Sequence, residues 1–480
     1  MSIGPKRILI VYDHRDSPKR MRLTIKQHLH ALESSDVKHE LLYYNTSDED
    51  PYPAVIRAET PAVPPSWVHD GPFDVVILHY AFLSYRFTGS FFYKWKRHFS
   101  WIGELDCLKI AIPQDEFDCN SLLDEWLFDW GVSAVLSVHY SEQGPLYPIM
   151  RDKADFYRCL SGYIDKAAAR RISGKLLPPA ARPYDIVYRA RQLPYWFGKA
   201  GQLKYQIANV VASCARTYGL KCNISTRAED AILGDRWLDF IASGKAVIGC
   251  EGGSSVIDWR GEIKAQIEAL LREDATLSFA EVSARMPFGW DDYRLFTITP
   301  RHFDAIITKT CQILVEGDYR GVLEPDKHYI PLKGDFSNVD EALQKLRDEQ
   351  FVQDMVERAY EDVYLSGNYT YQTYAKKIEQ VIFDQEQKSM KRGGHSESMT
   401  KRNGVVELLE RQLVAERHNN ALLRAKLLEA KEGKGVPQNQ MRWPSMGWKK
   451  TLLLVAVVVM GIAASSTVIT LLVLMSFGIL

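Results

Sequence analysis

The chain has no excess of charge of either sign. Its 480 residues hold 60 Lys and Arg against 60 Asp and Glu, so there is no global basic field to collect nucleic acid. Cysteine is sparse and unpatterned. The seven (Cys107, Cys119, Cys159, Cys214, Cys222, Cys250 and Cys311) are scattered, and no two have metal-ligand spacing. That argues against a zinc module and a disulfide framework and points to reduced thiols in a cytosolic compartment. The N-terminus passes from Met1-Ser2-Ile3-Gly4-Pro5-Lys6-Arg7 straight into a short apolar run and lacks the layout of a signal peptide. One further absence is local: residues 451–480 contain no charged side chain at all.

That uncharged stretch reads as a C-terminal membrane anchor. About 20 apolar residues cross the hydrocarbon core as a helix, and residues 452–480 are long enough with room to tilt. Gly461, Ala463, Ala464, Ser465, Ser466 and Thr467 would let a second helix approach closely. Trp443 and Trp448 suit the headgroup region. Arg442, Lys449 and Lys450 lie just before the span and favour the cytoplasmic side. The expected topology is a single-pass anchor in the cell's inner, cytoplasmic membrane, with the body in the cytosol.

The body alternates apolar strands with helical stretches. Arg7-Ile8-Leu9-Ile10-Val11-Tyr12, Glu40-Leu41-Leu42-Tyr43-Tyr44, residues 73–80, Leu108-Lys109-Ile110-Ala111-Ile112 and Ala134-Val135-Leu136-Ser137-Val138 read as strands, and residues 21–32 as a helix. Continuous apolar strands separated by helices predict a parallel sheet covered on both faces. Ligands bind such sheets beyond the carboxyl ends of the strands, which here carry Asp13, His14, His79, Asp115, Glu116 and His139. A second α/β unit starts near Tyr184. Strands are predicted at 185–191, 221–225, 246–250 and 312–316, and helices at 199–218, 237–242, 261–272 and 279–286. Glu251-Gly252-Gly253-Ser254-Ser255 reads as a flexible turn, and 339–384 as a long helical stretch able to reach back to the first domain.

The resulting division is two Rossmann-like domains, 1–178 and 179–384, a polar linker 385–404, a coiled-coil segment 405–432, a basic and aromatic linker 433–450, and the anchor 451–480. In the coiled-coil segment Val406, Leu409, Leu413, Asn420, Leu423 and Leu427 fall on heptad a and d positions, with Glu416 at one d position. The pattern suits a homodimer, or equally a lone amphipathic helix lying on another surface.

Arg301-His302-Phe303-Asp304-Ala305, Leu314-Val315-Glu316-Gly317 and Leu323-Glu324-Pro325-Asp326-Lys327-His328-Tyr329 together resemble the GT-B glycosyltransferases, most closely the CgeB-like and family 4-like transferases of bacterial surface polysaccharide. Val187-Tyr188-Arg189-Ala190-Arg191 with Lys199 and Lys204, and Gly252 through Asp258, look like parts of their donor domain. The resemblance covers residues 5–380. It implies a nucleotide-sugar donor (UDP- or GDP-linked), a glycan or lipid-linked acceptor, a membrane partner and no required cofactor. No Asp-x-Asp motif suited to the other main transferase fold implies a catalytic Mg²⁺ or Mn²⁺.

A nucleotide-sugar transferase must hold a diphosphate, hold a ribose, and stabilise charge as the bond from sugar to phosphate breaks. Unhindered amides and cations suit the diphosphate; Gly252, Gly253, Ser254 and Ser255 offer the first, and Arg189, Lys199 and Lys204 the second. The resemblance implies that Asp304 stands where the family has a ribose-binding glutamate, with His302 on the same helix start. Asp is shorter than Glu, and Thr308-Lys309-Thr310 replaces an Ala-Cys-Gly turn. Glu316 joins the donor-binding candidates; it and Glu324 have the spacing of the family's paired glutamates but follow the helix instead of flanking its start. On the acceptor side, Asp115, Glu116 and His79 are the candidate general bases. A retaining enzyme would need none, and the residues leave that choice open. Two other classes stay in view: a catalytically silent GT-B scaffold, motivated by the altered residues, and a nucleotide-sugar epimerase.

Overall fold

The computed structural model describes residues 3–15, 21–48, 61–234 and 236–393. The expected anchor, coiled coil and second linker lie outside the described residues. Among the described residues no helix is long and apolar enough to cross a membrane.

The first lobe is a six-stranded parallel sheet. Its strands are β1 (Arg7–Tyr12), β2 (Glu40–Asn45), β3 (Val75–His79), β4 (Leu108–Ile112), β5 (Ala134–Ser137) and β6 (Asp155–Arg158), in the order β2-β1-β3-β4-β5-β6. The second lobe contains β7 (Tyr184–Arg189), β8 (Cys222–Ser225), β9 (Gly244–Gly249), a short antiparallel hairpin of β10 (Gly252–Ser254) and β11 (Leu295–Thr297), then β12 (Cys311–Val315) and β13 (Ile330–Leu332). Its main sheet is parallel, in the order β13-β12-β9-β7-β8. Each sheet reverses direction once, between β1 and β3 and between β7 and β9. A crevice opens at such a point, because the connections on either side leave over opposite faces.

The apolar runs form strands because helices bury them on both sides. All residues of β3, β9 and β12 are buried. The strands that the pattern failed to announce are edge or hairpin strands. In β6 no residue is fully buried, so no apolar run marks it. In β13 a proline sits at the centre, which an edge strand tolerates. The Gly252-Gly253-Ser254 stretch, expected as a flexible turn, is instead strand β10. Gly253 has φ of 122°, and a Cβ there would stand 1.9 Å from the Leu295 carbonyl oxygen, so only glycine lets the hairpin close.

The stretch 339–384 is not one helix. It breaks into Val339–Lys345, Glu349–Ala359 and a π-helical turn at Tyr360–Leu365, then turns at Gly367 (φ 73°) and restarts as Tyr371–Gly393. The last helix lies on the first sheet. Tyr371, Tyr374, Ala375, Ile378, Val381 and Ile382, at helical spacing, are buried with Ile8, Ile10, Ile77 and Ile110. It also runs through 385–393, the start of the stretch expected as linker. Polar ties hold that part down: Gln385 bonds Asp155, Glu386 pairs with Lys6, and Lys388 pairs with Asp155. The chain crosses between lobes twice, and the crossings are stitched together. Ile164 N–H donates to the Tyr369 carbonyl at 2.7 Å, and Tyr371 N–H to the Ile164 carbonyl at 3.0 Å.

Candidate donor and acceptor site

A cavity of about 380 Å³ opens at the carboxyl ends of β7 and β9, where the second sheet reverses. Tyr188, Arg189, Ala190 and Arg191 line it from the end of β7. Gly249 and Cys250 follow from β9, Lys204 from the Gly198–Thr217 helix, and Thr299 through Asp304 from the start of the Pro300–Ile307 helix. The first lobe contributes Arg22, Leu23 and Thr24. The cavity is therefore an interdomain one.

Its charge is strongly positive. Arg22, Arg191, Lys204 and Arg301 line it and form no ion pair among the described residues, while Asp304 is the one carboxylate among the described residues of its wall. Burial pulls the Lys204 ammonium below its usual range; Cys250 and Asp115 oppose that, and Arg301 adds to it. The Arg301 guanidinium sits 5.5 Å from the Trp237 ring and 5.7 Å from the Tyr188 ring, which fixes its place without consuming its charge.

Asp304 is buried beneath these cations and accepts a 2.8 Å hydrogen bond from Trp237 Nε1. Burial pushes its carboxyl up to about 7, with Trp237 and Arg301 pulling the other way. Asp115 occupies the opposite lobe, directly after β4. It is exposed, lies outside the cavity wall, and has protein packed about it. That desolvation raises its pKa, opposed by Arg86, Lys204 and Arg22, which places its carboxylate within the field of the cavity's cations. The loop bearing it is held by Arg86, a fully buried guanidinium that donates to the carbonyls of Leu83, Gln114, Asp115 and Asp118 at 2.7–3.0 Å. Asp115 itself has φ of 49°, a conformation Asp tolerates better than most residues.

The other expected site residues are placed elsewhere or committed elsewhere. Arg189 lines the cavity, but its guanidinium donates to the carbonyls of Tyr188, Asn223 and Asp230 and to Asn223 Oδ1, and it packs on Phe240. It clamps the β7–β8 edge. Lys199 is exposed and paired with Asp292 at 3.1 Å, outside the cavity wall. Gly252, Gly253, Ser254 and Ser255 also lie outside the wall. Ser254 Oγ bonds Phe197 and Val256, and Ser255 Oγ accepts from Ala200 N–H at 3.2 Å. With Asp291, which accepts from Lys199 N–H at 2.8 Å, Ser255 caps the Gly198–Thr217 helix. The backbone of Gly252–Ser254, expected to cradle a diphosphate, is instead paired with β11, and the Ser254 and Ser255 hydroxyls are engaged by the chain's own groups.

His302 is buried, and its Nδ1 bonds Thr299 in a capping box; burial lowers its pKa to about 3. Glu316 is exposed at the end of β12. On the acceptor side, Glu116 is fully buried and accepts from Ser137, Val138, His139 and Tyr147, tying β4 to β5. His79 is buried, accepts from Ala81 N–H at its Nδ1 and bonds His28 at 3.1 Å, so both ring nitrogens are engaged. Of the three candidate bases only Asp115 keeps a carboxylate free to meet a substrate. Sequence reasoning missed Arg22, Arg86, Trp237 and Arg301. Arg301 opens the Arg-His-Phe-Asp run and carried a signal; Arg86, a single basic residue in an aromatic stretch, carried none.

No family model and no curated protein matches the chain. Among solved structures, the chain is similar to TarM, with 13% identity over 64% of this chain and 54% of that one and a TM-score of 0.35. It thus spans about half of TarM's length. An alpha-glucosyltransferase in complex with UDP and a 13-mer DNA matches over 79% of this chain and 100% of its own, at 11% identity and a TM-score of 0.42. Anabaena Alr3699/HepE in complex with UDP-glucose covers the same shares at 9% identity and a TM-score of 0.39. These structural neighbours are GT-B glycosyltransferases.

Proposed function

We propose that the protein is a GT-B glycosyltransferase that takes a UDP- or GDP-linked sugar into the cavity between its lobes. The observation that carries this reading is the convergence of Arg22, Arg191, Lys204 and Arg301, none of them ion-paired among the described residues, on a cleft between the lobes, with Asp115 of the first lobe close enough to feel the charge of Lys204 and Arg22. Unpaired cations held in a concave, partly desolvated site suit a diphosphate, because each forms a charge-assisted hydrogen bond without first breaking an ion pair. Asp304, held by Trp237, accepts from the ribose hydroxyls. As the bond from the anomeric carbon to the diphosphate oxygen breaks, Lys204 and Arg301 stabilise the leaving charge. Asp115 accepts the proton of the acceptor hydroxyl as it attacks that carbon.

The uncharged tail supports a membrane-borne acceptor. Tethering raises the local concentration of the cleft at a lipid-linked substrate, and the basic residues before the span keep the cleft on the cytosolic side, where nucleotide sugars are made. The reading places the protein at the inner membrane in assembly of a surface glycan, paired through residues 405–432.

The test is a UDP- and GDP-sugar panel on the full chain in detergent, following nucleotide release. Asp115→Asn should lower turnover by about 10²–10⁴ with nucleotide affinity unchanged. A loss of only a few-fold would leave the proton to the donor phosphate and imply retention of anomeric configuration. No binding of any nucleotide sugar would overturn the reading and favour the silent scaffold.

A further inference from the structure

The lobes are joined on both faces of the first sheet. The chain crosses between them at the Ile164–Thr370 pairing, beside Tyr163 and Tyr371 in the core beneath the final helix. The opposite face carries the Asn120–Asp129 helix, which buries Leu122, Leu123 and Trp126 with Leu9, Val11 and Val76. The second lobe reaches this face through residues 257–260. Cys119 N–H donates to the Asp258 carbonyl at 2.7 Å, Asp258 N–H to the Phe117 carbonyl at 2.9 Å, and Ser121 N–H to the Trp259 carbonyl at 3.0 Å. Arg260 donates to the Tyr93 hydroxyl at 3.1 Å and pairs with Glu125. Ile257 and Leu295 of the second lobe are buried in the first lobe's core. The chain does not pass between the lobes here, so a rotation about the crossings can part this junction while each sheet stays whole.

The loop gripped by residues 257–260 is the one that bears Asp115. Asp115 and Cys119 have φ of 49° and 52°, and for Cys119 this left-handed conformation is a strained one. Such strain persists only where the surroundings over-determine it, and here two sets of contacts do so. From within the first lobe, Arg86 donates to the carbonyls of Gln114, Asp115 and Asp118. From the second lobe, residues 258 and 259 bond the Phe117 carbonyl and the Cys119 and Ser121 amides. No side chain caps the start of the Asn120–Asp129 helix; the carbonyls of the other lobe meet its amides instead.

We propose that residues 257–260 form a latch: the lobes part there by rotation about the crossings, and closing the latch seats the loop of Asp115. Burial of Ile257 and Leu295 keeps it shut at rest. When it parts, the Cys119 and Ser121 amides lose their partners, and the left-handed turn loses one of its two supports. Asp115 is therefore held in place only while the second lobe is closed onto the first. The latch stands on these contacts alone; the use of Asp115 as a base rests on the donor reading, on which the cleft takes two substrates and gains room for both when the lobes part.

Native-state labelling of the full chain in detergent with N-ethylmaleimide, followed cysteine by cysteine in a mass spectrometer, tests this. Cys119 lies in the latch, its Sγ 3.8 Å from where a Cβ on Gly261 would stand. Cys159 and Cys311 are buried in the cores of the first and second lobes. Arg260→Ala should speed labelling of Cys119 by about twofold to fivefold, the worth of one exposed ion pair, and leave Cys159 and Cys311 unchanged. Arg260→Lys, which keeps the charge opposite Glu125, should recover most of the protection. The Asp118 amide, which bonds the Asp115 carbonyl at 3.0 Å, should exchange its hydrogen faster in Arg260→Ala, in step with Cys119. Labelling of all three cysteines at one rate in the unaltered chain, or an Arg260→Ala effect that is absent or spread equally over the three, would overturn the latch. Faster Cys119 labelling beside an unchanged Asp118 amide would overturn the seating of the Asp115 loop. No substrate enters either measurement, so neither failure would touch nucleotide-sugar binding.

Discussion

On the proposed reading, Asp304 gives nucleotide binding a pH response. In the fold its carboxyl titrates near 7 against an ordinary value of 3.8, because burial disfavours the charged form. The folded state therefore holds this proton where the unfolded chain has lost it. The contribution to stability is full below pH 4 and lost as pH rises through about 7. A ribose diol that donates to the carboxylate favours the ionised form, so nucleotide affinity should rise between pH 6 and 8, measured by calorimetry. Asp304→Asn should flatten that rise and lower affinity throughout. Lys204→Ala should weaken nucleotide binding by about 1.5–3 kcal/mol, the worth of a charge-assisted hydrogen bond, with little change for the free nucleoside. Single residues of this kind were only partly legible in the sequence. Asp304 and Lys204 stood in readable patterns. Arg189 did too, but whether a strand-end arginine meets a ligand or a carbonyl is decided by Asn223 and Asp230, distant in sequence. The same holds for His79, which is occupied by His28.

At the level of elements, strands buried on both faces announced themselves and the rest did not. Periodicity reports burial, so β9 and β12 stood out while half-buried β6 and proline-centred β13 passed unnoticed. The β10–β11 hairpin was hidden for a different reason. Two glycines and two serines read as a loop, whereas here glycine is the residue that lets two backbones touch. Gly253→Ala should cost about 2–4 kcal/mol in urea unfolding, since both the positive φ and the Leu295 carbonyl oppose a Cβ. Ser255→Ala should cost about 1 kcal/mol by uncapping the Gly198–Thr217 helix. Loss of nucleotide affinity in Ser255→Ala beyond that expected from its stability would restore a ligand role to the Gly-Gly-Ser-Ser stretch.

For the whole molecule, two doubly wound sheets could be read from the alternation of strands and helices, but not their mutual placement. The lobes meet through backbone hydrogen bonds, Cys119 N–H to the Asp258 carbonyl at 2.7 Å and Asp258 N–H to the Phe117 carbonyl at 2.9 Å, and through Arg320, which donates to the Val138 carbonyl at 3.0 Å. No local pattern encodes such contacts. The final helix has a mechanical consequence. It belongs by chain order to the second lobe but is built into the core of the first. Whatever continues beyond Gly393 is therefore fastened to the lobe that carries Asp115. Were the tail moored in a bilayer, as proposed, the pull would enter through the first lobe, into whose core this helix is built. The second lobe would then feel that pull only through its contacts with the first.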